Sequence, residues 1–285
     1  MIDKFLNKII NSDVLEGLRS IPDNSIDLTI TSPPYNKRNK AYGWLVSKQK
    51  YSHYDDYLPE EEYQKWQIEV LNELWRVTKP GGSLFYNHKQ RWDKGNLLHP
   101  FMWLCNSIWH IKQEIVWDRG LAANMRGWRY WQVDERIYWM YKPINNGLIG
   151  KELEAKHAKF SSIWRIKPAP RSEDHPAPFP LEIPTRIIHS FLNDENAVVL
   201  DPYCGTGTTL VAAKLLGFNY IGIDISPDYE SYAELRLSSS ESEREVVQKE
   251  IDKHFVEFSF ADRKSKGTTK WPFAPKSKDK ILDAL

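Results

Sequence analysis

The sequence predicts an α/β fold: a doubly wound, mostly parallel β-sheet with helices on both of its faces. Three observations predict it. Segments with the alternation of β-strands are followed by segments with helical spacing, a glycine-containing loop joins one such strand to one such helix, and 41% of the 285 residues are hydrophobic. Strands that alternate with helices form parallel sheets. Because ligands bind beyond the carboxyl ends of the strands in such sheets, the loops at those ends are the candidate sites.

The predicted elements follow one another in order along the chain. Residues 25–31 alternate as a strand does. Apolar side chains then recur at spacings of three and four from Tyr63 to Val77, which predicts a helix that begins near Pro59 and ends at Pro80. Further strands are predicted at residues 83–88, 113–118, 135–141, 197–201 and 220–224, and further helices at residues 97–110, 183–192, 209–216 and 241–255.

Two regions depart from this regular pattern. Residues 142–180 carry six prolines among basic residues, which predicts an irregular insert over residues 142–177. The chain becomes polar and strongly charged after residue 237. We therefore predict one main domain over residues 1–237, which includes the insert, and a charged helical and flexible C-terminal extension over residues 238–285.

Composition restricts the class of protein but does not identify a partner. The formal net charge of +1 argues neither for nor against a nucleic acid. The sequence has no apolar run long enough to span a membrane, and its first residues lack the apolar core of a secretory signal, so a cytoplasmic protein is expected. Cys105 and Cys204 suggest neither a disulfide framework nor a metal site, and no metal is expected.

The glycine-containing loop has the features of a nucleoside site without those of a phosphate site. Gly205 and Gly207 allow close approach to a ligand, and Asp224 follows Gly205 at about the offset (~20 residues) from which an acid reaches ribose hydroxyls. Leu210 occupies the third glycine position of a dinucleotide motif, and Asp201 would repel a pyrophosphate but attract a cation. S-adenosylmethionine, with a ribose and a sulfonium, fits this loop. The alternatives are an ordinary strand-to-helix turn and a nicotinamide cofactor.

The stretch "TSPPYN" places an unusual loop directly after the first of the strands described above. Pro33 and Pro34 have fixed φ angles and no amide hydrogen, so the loop is stiff and its carbonyl groups can accept hydrogen bonds. Tyr35 is then predicted to be an exposed, flat platform at the carboxyl edge of the sheet. The alternative is that the prolines merely end the strand and that Tyr35 belongs to the core.

Three motifs in a particular order, "TSPPYN", "DPYCGTGTT" and "HPAPFPLEIP", resemble the β class of amino-group DNA methyltransferases. The resemblance covers residues 5–237. It implies a Rossmann-like methyltransferase fold, circularly permuted, with a seven-stranded sheet. In that family the side chain of Ser32 and the carbonyl of Pro33 would accept hydrogen bonds from the exocyclic amine of the target base. Tyr35, held by Pro34, would stack on the flipped-out base.

The resemblance also implies a cofactor site and a substrate. The residues that it assigns to S-adenosylmethionine are Asp13, Phe179, Asp201, Tyr203, Gly205, Gly207, Thr208 and Asp224. For Asp13 a helix N-cap is an equal alternative. A serine at the first motif position favours N4 of cytosine over N6 of adenine as the methyl acceptor, although adenine enzymes with serine are not excluded. The first rival is therefore the adenine enzyme, and the second is a DNA-binding protein that keeps the fold without turnover.

The predicted partner is double-stranded DNA, with a cognate restriction endonuclease that acts on the same site as a second candidate. The chain is expected to be a monomer or a homodimer. Base recognition is assigned to the irregular insert and to basic residues near strand ends. The candidate DNA-binding residues are Lys37, Arg38, Lys40, Arg126, Arg129, Lys156, Lys159, Arg165, Lys167 and Arg171.

Overall fold

The computed structural model describes residues 1–36, 58–121, 127, 129–144, 161–169, 179–254 and 265–267. Its strands are β1 (Lys8–Asn11), β2 (Ile26–Thr31), β3 (Thr78–His88), β4 (Arg91–Asp93), β5 (Asn96–Leu98), β6 (His110–Asp118), β7 (Asp134–Tyr141), β8 (Ile163–Arg165), β9 (Val198–Asp201) and β10 (Asn219–Asp224). Its helices are α1 (Val14–Ser20), α2 (Glu60–Val77), α3 (Phe101–Leu104), α4 (Glu182–Phe191), α5 (Thr208–Leu215), α6 (Pro227–Ser238) and α7 (Arg244–His254). No helix within these ranges has the length and apolar character to cross a membrane.

The main sheet has eight strands in the order β1-β10-β9-β2-β3-β7-β6-β8. Neighbouring strands in this sheet are parallel, except that β7 is antiparallel to both β3 and β6. The predicted fold class is therefore confirmed, although the sheet has one strand more than expected. Strands β1 and β8 are not among the strands that the sequence pattern predicts, and β8 lies in the segment predicted to be irregular, where it pairs with β6.

Hydrophobic side chains alternate between the two faces of the sheet. On β3, Phe85 packs into one cluster, together with α4, α5 and α7, whereas Leu84 and Tyr86 pack into the other, together with α1, α2 and α3. Strand side chains alternate in direction, so one strand supplies both layers. Because hydrophobic side chains are buried on both faces of the sheet, its faces are covered by helices, and the loops at its carboxyl edge are available for a site.

The prediction of a helix at residues 97–110 is wrong. Lys94 and Gly95 both have positive φ angles, 49° and 82°, and the turn that they form pairs β4 with β5. Only α3, a single turn of four residues, remains helical. Its Trp103 is fully buried, so the apolar pattern of this segment reflects burial and not a long helix.

The helix predicted near residues 241–255 is confirmed as α7, which packs on α4. Val247 of α7 is buried in the same cluster as Ile187 of α4. Beside them, Arg186 and Glu250 form an ion pair with 2.7 Å between Nε and Oε1, and their side chains are 8% and 1% exposed. The helix beyond residue 237 is thus attached to the sheet through α4 by a buried charge pair.

Candidate functional site

The loop of residues 32–35 lies where three strands bring their ends together. It follows β2, the parallel neighbour β3 ends beside it at Asn87 and His88, and β7 begins there at Asp134 because it runs in the opposite direction. Polar side chains from all three strands therefore meet at the carboxyl edge of the sheet, as expected for the site of an open α/β sheet.

A compact hydrogen-bond network joins the loop to its neighbours. Ser32 Oγ lies 2.7 Å from the Tyr35 hydroxyl oxygen, and the Tyr35 hydroxyl donates to Glu135 Oε2 at 2.9 Å. Asn87 Nδ2 lies 2.6 Å from the Tyr35 oxygen, 3.0 Å from Glu135 Oε2 and 3.3 Å from Ser32 Oγ. Arg119 Nη1 contacts the other carboxylate oxygen of Glu135 at 3.1 Å, and both side chains are about nine-tenths buried.

The ring of Tyr35 is not exposed in this structure, so the expectation of an exposed platform is wrong here. Tyr35 is only 9% exposed, and its ring lies 4.7 Å from that of His88 at an angle of 44°. The hydroxyl explains the burial, because its bonds to Ser32, Asn87 and Glu135 hold the side chain inward. The sequence could not reveal that Asn87 and Glu135 are partners of Tyr35, since they lie on β3 and β7.

The two proline carbonyls differ in their partners. The Tyr63 hydroxyl donates to the Pro34 carbonyl at 2.7 Å and is also bonded to His88 Nε2 at 2.7 Å. Within the part of the chain that the structure describes, no group donates to the Pro33 carbonyl. Ser32 Oγ and the Pro33 carbonyl are therefore two neighbouring acceptors, and Pro34 anchors the loop to α2.

The glycine loop joins β9 to α5, and the carboxylate of Asp224 holds it. Asp224 Oδ2 accepts the amide hydrogen of Gly205 at 2.8 Å, and Oδ1 accepts that of Ser226 at 2.9 Å. Gly205 and Gly207 have φ angles of 49° and 77°, which favour glycine. A Cβ atom at Gly207 would also lie 3.0 Å from the Cβ atom of Ala233, a tight contact that adds to the strain of a side chain at this φ angle.

Asp201, at the end of β9, is a buried carboxylate. Burial raises the pKa of Asp201 to about 6, although hydrogen bonds from Thr209 and from the Tyr203 amide partly offset this effect, and the charge of Asp224 adds to it. Burial and the two carboxylates also raise the pKa of the Cys204 thiol, so this thiol is not activated as a nucleophile. The loop thus has a surplus of negative charge that a cation would relieve.

The other residues assigned to the cofactor have more varied surroundings. Asp13 caps α1 by accepting from Leu15 N at 2.9 Å, so the N-cap alternative is confirmed. It lies near Asp224, because the amide of the preceding Ser12 donates to the Asp224 carbonyl at 3.1 Å. A cofactor contact for Asp13 remains a prediction.

Thr208, Tyr203 and Phe179 all contact protein neighbours. The hydroxyl of Thr208 accepts from Arg236 Nη1 at 2.7 Å, which directs it toward α6. The ring of Tyr203 meets that of Trp66 edge to face at 6.0 Å, and the ring of Phe179 meets that of Trp117 at 5.9 Å. Their assignments to the cofactor also remain predictions.

Three of the predicted DNA-binding residues fall within the described part of the chain. Arg165 and Lys167 are exposed at the carboxyl end of β8, and Arg165 makes only a 3.6 Å ion pair with Asp118. Arg129 stacks on Trp92 at 3.8 Å, and the neighbouring Tyr130 is 99% exposed. The other candidates, Lys37, Arg38, Lys40, Arg126, Lys156, Lys159 and Arg171, lie outside the described residues.

Sequence reasoning missed Glu135, Asn87 and Arg119. The sequence pattern predicts only strand positions for Asn87 and Glu135, and it predicts no role in the site for Arg119. A signal was nevertheless present, because charged or amide side chains in otherwise apolar strands such as "SLFYNH" and "ERIYWMY" require buried partners.

Comparisons with known proteins agree on one family. A family model described as "DNA methylase", for N6 and N4 methyltransferases, matches residues 26–235. The Type II methyltransferase M.BglII of Bacillus subtilis is 31% identical over 279 residues, which cover 84% of this chain and 71% of that protein. The DNA adenine methyltransferase YhdJ of Escherichia coli strain K12 is 29% identical over 250 residues, 78% of this chain and 79% of that protein.

Solved structures give the same result. A putative DNA modification methylase of Thermus thermophilus, complexed with S-adenosyl-L-methionine, is 25% identical with a TM-score of 0.60, over 82% of this chain and 95% of that chain. The cytosine-N4-specific PvuII DNA methyltransferase is 21% identical with a TM-score of 0.65, over 86% of this chain and 92% of that chain, a likeness that shows the shared fold.

Proposed function

This chain belongs to the N6/N4 family of DNA methylases, and on that premise we propose that it methylates the exocyclic N4 amine of cytosine within a specific short sequence of duplex DNA. S-adenosylmethionine is the methyl donor of this family and supplies a methyl group activated by a sulfonium charge. The observation that carries the proposal is the pair of neighbouring acceptors at the end of β2, the neutral Ser32 hydroxyl and the Pro33 carbonyl.

Two acceptors are what this reaction needs from the protein. The lone pair of an exocyclic amine is delocalised into the base, so the amine is a poor nucleophile. Acceptors at Ser32 Oγ and at the Pro33 carbonyl would bind both amine hydrogens, favour a pyramidal nitrogen and stabilise the positive charge that develops on it. The remainder of the rate enhancement would come from the alignment of amine and donor.

The charges of the glycine loop suit the donor. Asp201 is buried and Asp224 lies nearby, so the site carries negative charge where a permanently cationic ligand would bind. In this proposal Asp224 would accept from ribose hydroxyls, and Asp201 would face the cationic end. The same carboxylates would oppose a nicotinamide cofactor with its pyrophosphate.

A pH dependence of donor binding follows from Asp201. Its pKa in the folded chain, about 6, lies above its ordinary value of 3.8, so the carboxylate is protonated as the pH falls through 6. Since the donor keeps its positive charge, its affinity should fall by about tenfold between pH 7.5 and 5, as expected when a hydrogen bond to a charged group is lost. Titration calorimetry at both pH values measures this change. Asp201→Asn should bind weakly and with little pH dependence, and a wild-type affinity unchanged at pH 5 would contradict the assignment.

The target base would have to leave the duplex to reach Ser32, because Ser32 lies at a sheet edge and the network around it is largely buried. Stacking on Tyr35 would return roughly 1–3 kcal/mol of the unstacking cost. Since Tyr35 is 9% exposed here, DNA binding must uncover its ring. Arg165 and Lys167 are exposed at the carboxyl end of β8, and phosphate contacts from them would supply the remaining free energy.

A second candidate is methylation of adenine N6 by the same site. It is favoured by the similarity to YhdJ, whose name specifies adenine.

The similarity to M.BglII, a type II methyltransferase, supports a role beside a restriction endonuclease that cuts the same sequence.

The test of the proposal is transfer of tritiated methyl groups from S-adenosylmethionine to genomic duplex DNA. We expect acid-precipitable label that depends on the wild-type chain and competes with unlabelled DNA. A chain that binds the donor but leaves every DNA unlabelled would favour a DNA-binding protein without turnover.

A further inference from the structure

We propose that Glu135 is a positioning residue that sets the direction of the hydrogen bonds around Ser32, so that Ser32 offers the target amine an acceptor and not a donor. The inference rests on the proposed function, because it concerns how the same site binds an exocyclic amine.

The need for such a residue follows from the chemistry of a hydroxyl. Ser32 Oγ can either donate or accept a hydrogen bond, whereas an amine hydrogen requires an acceptor. If the Ser32 proton pointed at the incoming amine, two hydrogens would face each other and the contact would be repulsive. A carboxylate at this position would not have this ambiguity, because it only accepts. A serine therefore needs a neighbour that takes up its proton in a hydrogen bond.

The structure supplies that neighbour in two steps. Glu135 pairs with Arg119 at 3.1 Å and, as a carboxylate, can only accept, so the Tyr35 hydroxyl at 2.9 Å must donate to it. The Tyr35 oxygen can then only accept from Ser32, which lies 2.7 Å away. The Ser32 proton is thereby directed to Tyr35, and Ser32 Oγ, which also accepts from Asn87 Nδ2 at 3.3 Å, keeps one lone pair for the base.

Asn87 is consistent with the same direction. Its Nδ2 lies within 3.3 Å of Ser32 Oγ, the Tyr35 oxygen and Glu135 Oε2. Because Glu135 Oε2 cannot donate, Asn87 has to present its amide nitrogen, and not its oxygen, to this group. Asn87 is 1% exposed and Glu135 is 7% exposed, so water cannot readily replace either partner.

The critical variant is Glu135→Gln, which keeps the size of the side chain. Because Arg119 can only donate, the glutamine oxygen would turn toward Arg119 and its NH2 group would donate to the Tyr35 oxygen. The Tyr35 hydroxyl would then lose its carboxylate acceptor and could donate to Ser32 Oγ or to a turned Asn87 amide, so the direction of the Ser32 proton would no longer be fixed. We expect single-turnover methyl transfer to slow by roughly 10- to 100-fold, the cost of a misaligned reacting group, with an unchanged dissociation constant for S-adenosylmethionine.

A double-mutant cycle with Tyr35→Phe separates this role from a structural one. Tyr35→Phe keeps the ring but removes the hydroxyl that links Glu135 to Ser32. We expect it to slow methyl transfer about as much as Glu135→Gln does, and we expect Glu135→Gln to add less than about twofold in the Tyr35→Phe background. Independent, multiplicative losses would overturn the inference, as would a wild-type rate in Glu135→Gln.

The outcomes distinguish this inference from the proposed function. A wild-type chain that methylates no DNA rejects the proposed function, whereas an active wild type with an equally active Glu135→Gln variant rejects only the inference. If Glu135→Gln does not fold, as judged by its melting temperature and donor binding, the Tyr35→Phe variant decides. A slowed Tyr35→Phe whose loss is not increased by Ser32→Ala supports the inference, and a wild-type rate in Tyr35→Phe overturns it.

Discussion

Replacing Tyr35 by alanine is expected to reduce methyl transfer by about 100-fold or more while the chain still binds S-adenosylmethionine. Loss of base stacking accounts for roughly 1–3 kcal/mol of binding free energy. Loss of the hydroxyl releases Ser32 from the network that orients it, and a displacement of about 1 Å in a reacting group can cost about 100-fold in rate. The rate is measured in single turnovers with saturating DNA and donor.

The control is Tyr35→Phe, which keeps the ring and fills the same space. Because Tyr35 is buried, the alanine variant also leaves a cavity, and its stability and donor affinity have to be measured beside its rate. If ring stacking contributes, Tyr35→Phe retains more activity than Tyr35→Ala. A folded Tyr35→Ala variant with wild-type turnover would show that the ring does not serve as the platform for the base.

Replacing Glu250 by alanine is expected to lower the free energy of unfolding by about 3–5 kcal/mol, the cost of breaking a buried ion pair. Glu250 is 1% exposed, and its carboxylate contacts Arg186 Nε at 2.7 Å. Without it, the guanidinium of Arg186 stays in the core beside Trp164, 4.9 Å from the centre of the ring, and loses the contact with the Glu250 carboxylate. Denaturation in urea, followed by circular dichroism, measures the change.

Lys253 provides the matched control for this effect. Its amine contacts the same Glu250 carboxylate at 3.2 Å, but its side chain is 58% exposed. Lys253→Met should therefore lower stability by less than about 1 kcal/mol. If Glu250→Ala were as mild as Lys253→Met, α7 would not be firmly docked on α4.

The elements with regular local patterns were predictable from the sequence. The alternation of residues 25–31 and the helical spacing before Pro80 correspond to β2 and α2, because burial of one or both faces leaves a period in the sequence. Strand β8 left no such period. It has three residues, and its pairing with β6 defines it. The segment at residues 97–110 was mispredicted because its first residues pair in β5 through the turn at Lys94 and Gly95, and only Phe101–Leu104 is helical.

The site was predictable where its residues are neighbours in the sequence. Ser32 to Tyr35 and Gly205 to Asp224 form contiguous motifs, and both lie at the carboxyl edge of the sheet as expected. Glu135 and Arg119 reach that edge because β7 is antiparallel to β3 and β6, which no local pattern specifies. The burial of Tyr35 depends on those same partners, so it could not be predicted without them.

The identity of the methylated nucleoside distinguishes N4 of cytosine from every other methyl acceptor. DNA labelled by the wild-type chain is digested to nucleosides, which are separated and identified by mass spectrometry. We expect N4-methylcytosine, because Ser32 and the Pro33 carbonyl bind an exocyclic amine and Ser32 is neutral. N6-methyladenine would contradict the assignment to cytosine but keep the site. 5-Methylcytosine, which requires attack on a ring carbon, would contradict the account of the site itself.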